Sequence, residues 1–281
     1  MADLSRPEHT LIIAVANQKG GVGKTTSAVN LSAALASLGL EVLVVDLDPQ
    51  GNASTALAVP HHGGVPSTYE VLVEDLPMTR IVEPAPEVSG LWVAPATLDL
   101  AGAEIELVSL VARESRLKKS LSAYLVEHER RTGRRIDYVF IDCPPSLGLL
   151  TVNALVAANQ VLLPIQCEYY ALEGLSQLLK TTDMVRNHLN PELNVGAILL
   201  TMFDARTRLA TQVADEVRTH FGERVLPTVI PRSVRLSEAP SYGQTIHAYD
   251  PASPGAVGYR SAAVELRDLL EVRSRDRQST G

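Results

Sequence analysis

Lys19-Gly20-Gly21-Val22-Gly23-Lys24-Thr25 is the stretch on which the fold turns. Before it runs Leu11 to Ala16, a short apolar segment with the length and composition of a strand buried on both faces. After it, Thr25 to Leu38 carries a helical pattern that Gly39 stops. A second apolar run, Val42 to Asp48, follows. Strand, glycine turn, helix and strand make a βαβ unit, and such units build parallel sheets through right-handed crossovers.

The same rhythm extends outward. Strand-like runs recur at Leu91–Pro95, Tyr138–Asp142, Val161–Ile165, Val195–Thr201 and Val225–Ile230. Helical patterns occupy Leu172–Leu189, Thr207–Phe221 and Tyr259–Val272, and residues 60–90, rich in Pro and Gly, read as an irregular excursion. The expected architecture is α/β: a single doubly wound, mostly parallel sheet flanked by helices, over residues 10–273. A disordered arm (1–9) precedes it and a flexible tail (274–281) follows.

Composition narrows the class. Of 281 residues 46% are hydrophobic, enough for a sizeable core, and only 4% are aromatic, so Ala, Val, Leu and Ile must build it. The net charge is −7, so nucleic-acid binding would need a local arginine patch on an acidic surface. The two cysteines, Cys143 and Cys167, lack metal-ligand spacing and fit a reducing compartment. No apolar run approaches the roughly 18 residues of a membrane span, and Met1–His9 lacks the apolar core of a signal peptide. A soluble cytoplasmic protein is expected. The paired His61 and His62 lie in the irregular excursion and are expected to face solvent.

The loop carries a specific chemistry. Gly20, Gly21 and Gly23 let backbone N–H groups close around an anion, and the following helix adds the positive end of its dipole. Lys24 is placed to reach the β- and γ-phosphates of a nucleotide, and the Thr25 hydroxyl to bind Mg²⁺. An ordinary glycine-rich turn is the plainer alternative, but the full string in a βαβ setting outweighs it. The loop is a variant P-loop: the usual first glycine would fall at position 18, where Gln18 stands. Lys19 comes too early to repeat the work of Lys24 and has no acidic neighbour in sequence.

Carboxylates end two strands. Asp46 and Asp48 lie two residues apart and are expected to point to one side, at the strand end where open α/β sheets bind ligands. Near a triphosphate, one of them can orient an attacking water and help bind Mg²⁺ through water. Tyr138–Ile141 followed by Asp142 is four mostly apolar residues ending in a carboxylate, which should contact Mg²⁺ directly or through water. A turn or helix-capping aspartate is the alternative for Asp142, and a small buried residue the expectation for Cys143.

Three strings agree in order and spacing with one family: Asn17–Thr26 (NQKGGVGKTT), Asp46–Ala53 (DLDPQGNA) and Ile141–Gly148 (IDCPPSLG). Ala101–Leu107, Gln166–Leu175, Leu200–Arg206 and Val229–Gly243 add to the match. The chain resembles the ParA/Soj-type chromosome-partitioning ATPases of the MinD/ParA class, whose P-loop is of this deviant Walker A form. The resemblance spans about residues 10–265.

The resemblance implies an ATP-driven sandwich homodimer that binds DNA without sequence preference. A DNA-bound ParB-like activator then stimulates slow hydrolysis, releases the monomers and so segregates a chromosome origin or plasmid. It implies nucleoid association in the ATP state, with ATP and Mg²⁺ as cofactors and no membrane contact. It implies that Lys19 crosses the dimer interface to the partner's ATP and that Asp48 positions the nucleophilic water. Nucleotide contact falls to Lys19, Gly20, Gly21, Val22, Gly23, Lys24, Thr25 and Thr26 in the loop and to Pro231 and Ser233 at the adenine end, where the family commonly has Asn in place of Ser233. Metal contact falls to Thr25, Asp48 and Asp142. Arg206 matches a DNA-contacting position, and Arg218, Arg232 and Arg235 are weaker candidates.

The alternatives are of other kinds. A MinD-like membrane-associated positioning ATPase would need a terminal amphipathic helix that enters lipid; Tyr259–Val272 has Ala263, Leu266, Leu269 and Leu270 at helical spacing but no basic face, so packing on its own domain is expected. An iron–sulfur scaffold would need cluster-motif cysteines, which Cys143 and Cys167 do not form. A nucleotide-sensing regulator would share the same switch. The loop starts at residue 19, so no helix-turn-helix domain is expected before it and operator binding is not expected.

Overall fold

A computed structural model describes residues 6–168 and 173–278. The strands are β1 (Leu11–Val15), β2 (Val42–Asp46), β3 (Glu83–Pro84), β4 (Leu91–Ala94), β5 (Tyr138–Asp142), β6 (Gln160–Gln166), β7 (Asn194–Phe203) and β8 (Val225–Pro231). They form one sheet in the order β3-β4-β2-β5-β1-β6-β7-β8, parallel except for the antiparallel β3 at one edge. The expected doubly wound sheet is present.

Period-2 alternation explains why both faces are covered. Ile13, Val15, Val42, Val44, Tyr138 and Phe140 point into one apolar layer; Ala14, Leu43, Val45, Val139 and Ile141 point into the other. The first layer is closed by α1 (Lys24–Ser37), α2 (Asn52–Ala56) and, later in the chain, α9 (Val234–Glu238), α10 (Ile246–Tyr249) and α11 (Pro254–Gln278). The second is closed by α3 (Thr68–Val73), α4 (Leu100–Glu106), α5 (Arg116–Thr132), α6 (Leu149–Ala157), α7 (Glu173–His188) and α8 (Arg208–Phe221).

Several expectations shift at the edges. β2 stops at Asp46, so Asp48 belongs to the following turn. The excursion at 60–90 contains α3, started by a capping box in which Ser67 and Glu70 bond reciprocally. His61 is half-buried rather than exposed: its Nε2 lies 3.0 Å from Thr55 Oγ1 and its ring covers Gly51, while His62 is exposed. In the expected arm, Arg6 reaches Asp137 and Gly39, and Arg135 donates to the carbonyls of Pro7 and Glu8; residues 1–5 lie outside the described residues. The start of the helix expected at Leu172 also lies outside them, as do residues 279–281.

The terminal helix begins five residues earlier than expected and runs to Gln278, into the stretch expected as a flexible tail. Ala262, Ala263, Leu266 and Leu270 are buried against α1 and β8. Each buried leucine contributes about 1.5–3 kcal/mol to that packing. The apolar face that a lipid-inserting helix would need is thus used inside the domain. Among the described residues no helix is long and apolar enough to cross a membrane.

Candidate nucleotide-binding site

The loop between β1 and α1 is shaped by its glycines. Gly21 and Gly23 take φ of +73° and +86°, the left-handed region, and Gly23 is the N-cap of α1 with no side-chain cap. The first N–H groups of α1 are therefore left to a ligand rather than to a capping side chain. The cleft in front of them is lined by Gly20, Gly21, Gly23, Lys24, Thr25, Thr26, Asp48 and Pro145, with a volume of about 330 Å³. Val22 is buried beneath, its carbonyl accepting a 2.8 Å bond from Thr201 Oγ1, which ties the loop to β7.

The ammonium of Lys24 donates to the Lys19 carbonyl at 3.1 Å, folded over its own loop. Burial lowers its pKa, opposed by the nearby Asp142. Lys19 does have an acidic partner, from 149 residues away: its Nζ lies 3.3 Å from Glu168 Oε2. Glu168 also receives Arg232 at 3.2 Å, so one carboxylate holds both cations at the rim of the cleft.

The two strand-end aspartates have separate surroundings. Asp46 is buried and satisfied. Its Oδ2 accepts the Ser54 N–H (2.9 Å) and hydroxyl (2.7 Å), and its Oδ1 accepts the Asp48 N–H at 3.1 Å. Burial raises its pKa to about 6, against the pull of these donors. It anchors the turn that carries Asp48. Asp48 itself lines the cleft and accepts the Gln50 N–H at 3.0 Å, and Gly51 at φ +62° ends that turn and begins α2.

Asp142 sits opposite Asp46 in the β2–β5 register and is fully buried. Neither of its carboxylate oxygens has a hydrogen-bond partner. Burial and the Asp46 charge raise its pKa well above the ordinary carboxylate value; the neighbouring Thr25 hydroxyl and Lys24 pull the other way without completing a bond. An orphaned buried carboxylate is costly unless a cation answers it. Hard oxygen donors from Asp142 and Thr25, beside a phosphate cleft, suit Mg²⁺. Cys143 next to it is buried, and burial pushes its thiol pKa up.

At the other end of the cleft, Pro231, Arg232 and Ser233 line a cavity of about 270 Å³ with Gly23, Thr26, Ile230 and Tyr259. Met202 faces both this cavity and the phosphate cleft, and holds φ at +50°, an uncommon conformation for a residue with a side chain. Sequence reading missed Met202, Ser54 and Glu168. Glu168 and Met202, each inside a family-matching string, carried some signal; Ser54, one residue past the Asp46–Ala53 string, carried none.

The four arginines are not brought into one cluster. Arg206 follows β7 and is 87% exposed, its guanidinium forked onto Asp204 at 2.9 and 2.7 Å. That fork holds the Asp204 pKa down to about 2. Arg232 acts on the same aspartate and flanks the base cavity. Arg235 on α9 pairs with Glu238 (3.2 Å) and lies over the Tyr249 ring. Arg218 on α8 bonds the Pro227 carbonyl, earlier along β8. Each has a carboxylate of its own chain nearby, with Asp215 at 3.9 Å from Arg218.

A parallel sheet covered by helices on both faces, with a phosphate loop after β1 and a lone buried carboxylate at the end of the neighbouring strand, defines a P-loop nucleotide-binding protein. A family model described as an AAA domain matches residues 10–195. The sporulation initiation inhibitor protein Soj of Bacillus subtilis is 54% identical over 91% of this chain and 97% of its own length. The chromosome partitioning protein ParA of Myxococcus xanthus is 51% identical over 91% of this chain and 87% of its own. A solved structure named cobyrinic acid a,c-diamide synthase, from Mycobacterium smegmatis, with bound ADP and magnesium, superposes with a TM-score of 0.76 at 37% identity, covering 91% and 93%. The chain belongs to the ParA/Soj family of chromosome-partitioning ATPases. A membrane-positioning role of the MinD kind fits these relatives less well.

Proposed function

We propose that this protein is an ATP-switched, Mg²⁺-dependent DNA-partitioning ATPase that works as a homodimer. The observation that carries the reading is Asp142, buried and unpartnered beside Thr25 and Lys24 at the phosphate loop. The partitioning names belong to relatives at 51% and 54% identity and the amide-forming name to a structure at 37%, which favours partitioning.

In this reading the glycine loop and Thr26 bind the phosphates, Lys24 leaves the Lys19 carbonyl for the β- and γ-phosphates, and Thr25 and Asp142 hold the metal. Asp48 orients the attacking water on a turn that Asp46 fixes, and contacts the metal through water. When bound, Mg²⁺ neutralises charge on the phosphate oxygens. Pro231 and Ser233 flank the base. Lys19 leaves Glu168 to reach the nucleotide of the second copy. Dimerisation sets the arginines of two copies on one surface, so weak phosphate contacts multiply by avidity. Slow hydrolysis, stimulated by a DNA-bound ParB-like activator, releases the nucleoid-associated dimer.

The test is binding to a random duplex with ATP·Mg²⁺ against ADP·Mg²⁺. Binding is expected in ATP only, lost in Lys19→Ala and retained or prolonged in Asp48→Ala. Equal affinity in the two nucleotides would rule out the switch.

A further inference from the structure

Helix α2 ends in a strained reversal. The Val59 N–H donates to the Ser54 carbonyl and the Ala58 N–H to the Thr55 carbonyl, both at 3.1 Å. That pair of bonds closes a helix through a residue in the left-handed region, a place usually taken by glycine. Here it is Ala58, at φ +54°. A residue with a side chain is uncommon in that conformation, and such strain persists where the rest of the structure holds it. The reversal sends the chain back over the start of the same helix and delivers His61 there.

The His61 ring is fixed at both nitrogens. Nδ1 lies 2.9 Å from the Val59 carbonyl, which can only accept, so Nδ1 carries the proton of that bond and Nε2 of the neutral ring is an acceptor. Nε2 lies 3.0 Å from Thr55 Oγ1, and the same hydroxyl lies 3.0 Å from the Gly51 carbonyl. The ring therefore rests on Gly51, and the fit is close. A Cβ on Gly51 would stand 2.8 Å from the ring's Cδ2 and 3.1 Å from the Ala96 carbonyl oxygen. His62, next in the chain, is exposed and lies 3.2 Å from the Gly63 carbonyl.

Gly51 is the far end of the turn that carries Asp48. Its N–H donates to the Asp48 carbonyl and its carbonyl accepts the Thr55 N–H, each at 2.9 Å. The near end of the turn is held by Asp46, which accepts the Asp48 N–H and, from α2, the Ser54 N–H and hydroxyl. Two side chains thus grip one turn. Asp46 holds it from the buried strand end, and His61 holds it from the excursion that follows α2. Asp48 lines the phosphate cleft, so any slack in the turn becomes a displacement of its carboxylate. A displacement of about 1 Å in a group that orients a reactant can cost on the order of a hundredfold in rate.

We propose that His61 is a positioning residue for ATP hydrolysis: its ring clamps Gly51 and so keeps the Asp48 carboxylate in place at the phosphate cleft, where it orients the attacking water. The inference rests on the reading of Asp48 above and adds the group that fixes its turn from outside the sheet. His61 lines neither the phosphate cleft nor the base cavity, so it acts on the hydrolytic step and leaves nucleotide binding alone.

The test is steady-state hydrolysis of ATP·Mg²⁺, read with ATP affinity and Tm, in wild type, His61→Ala, His61→Gln, Asp48→Ala and the Asp48→Ala/His61→Ala double variant, with His62→Ala as control. His61→Ala should lower kcat about tenfold with ATP affinity unchanged, the pattern of an interaction that serves only the transition state. His61→Gln keeps a hydrogen-bonding group within reach of Thr55 and should recover most of that rate. His62→Ala should match wild type. Because His61 works through Asp48, adding His61→Ala to Asp48→Ala should cost nothing further. Wild-type kcat in His61→Ala, beside a large loss in Asp48→Ala, would overturn the clamp and leave the role of Asp48 intact. A loss in His61→Ala that adds in full to that of Asp48→Ala, that His61→Gln does not recover, or that comes with an equal fall in ATP affinity would make His61 a structural residue and overturn the clamp. Hydrolysis by Asp48→Ala at the wild-type rate would remove the reading and the clamp together.

Discussion

The two ends of the sheet bury carboxylates and treat them in opposite ways. At the N-terminal ends of the strands, Glu41 and Asp137 are buried and answered by cations and donors of their own chain, although Asp137 Oδ1 has no hydrogen bond and only Arg135 at 3.7 Å. Glu41 accepts Trp92 Nε1 at 2.9 Å and pairs with Arg134; Asp137 accepts the Glu41 N–H at 2.8 Å and faces Arg6 and Arg135. At the C-terminal ends, Asp142 is buried with neither oxygen bonded. Both poles pay the desolvation cost of a charge, but only one recovers it within the chain. The contrast separates structural acids from functional ones. A carboxylate satisfied by its own chain holds the fold, and one left unsatisfied is reserved for a ligand.

Removing an answered acid should be the most damaging change. Glu41→Ala leaves Arg134 and the Trp92 N–H without their shared acceptor. It is expected to destabilise the protein by about 3 kcal/mol, as for one member of a buried pair. Urea unfolding would show the loss, and nucleotide affinity of the folded fraction should stay unchanged. A loss under about 1 kcal/mol would mean that the N-terminal pole is no better answered than the C-terminal one.

Removing the unanswered acid should do the reverse. Asp142→Asn is expected to stabilise the nucleotide-free protein by about 2 kcal/mol near neutral pH, while abolishing Mg²⁺-dependent hydrolysis. The sign follows from the shift. An acid whose folded-state pKa is raised binds its proton more tightly when folded. Its penalty is absent below the ordinary carboxylate range and fully present once pH exceeds the folded-state value. The window opens just above the ordinary carboxylate value of 3.8 and extends up to the raised Asp142 pKa. The gap in Tm between variant and wild type should therefore open as pH rises through this range, to about 5 °C. A variant less stable than wild type at pH 7.5 would mean that Asp142 is a structural acid after all.

How much of this was readable in advance depends on whether the signal is local. The βαβ rhythm is carried by neighbouring residues, and β5 matches its expected bounds while β6, β7 and β8 differ by one or two residues at their ends. The phosphate loop was legible for the same reason, since glycines, lysine and threonine act together over seven residues. Helix α3 was missed although its capping box, Ser67 to Glu70, stood in the sequence among prolines and glycines that suggested a loop. What could not be read is nonlocal. Nothing near Lys19 announces Glu168, and nothing near Asp46 marks Ser54 as the residue that satisfies it. The division between Asp46 and Asp142 exists only once β2 and β5 lie side by side.

The comparison takes a third form at the surface, where carboxylates sit beside the cations proposed for DNA. Asp204 holds Arg206 in a two-point fork, and its low pKa keeps it ionised throughout the physiological range. A DNA phosphate must displace that carboxylate to use the guanidinium. Arg206 is exposed, so the pair contributes little to the fold and Arg206→Ala should leave Tm unchanged. In ATP it should weaken duplex binding for all sequences alike, and flatten the slope of log K against log salt by about 0.9 for each phosphate that is no longer neutralised. Asp204→Asn removes the competitor and should strengthen binding at low salt. If Arg206→Ala leaves the salt slope unchanged, Arg206 is a fully neutralised surface cation, held by its partner as Arg134 is held by Glu41 at the opposite pole.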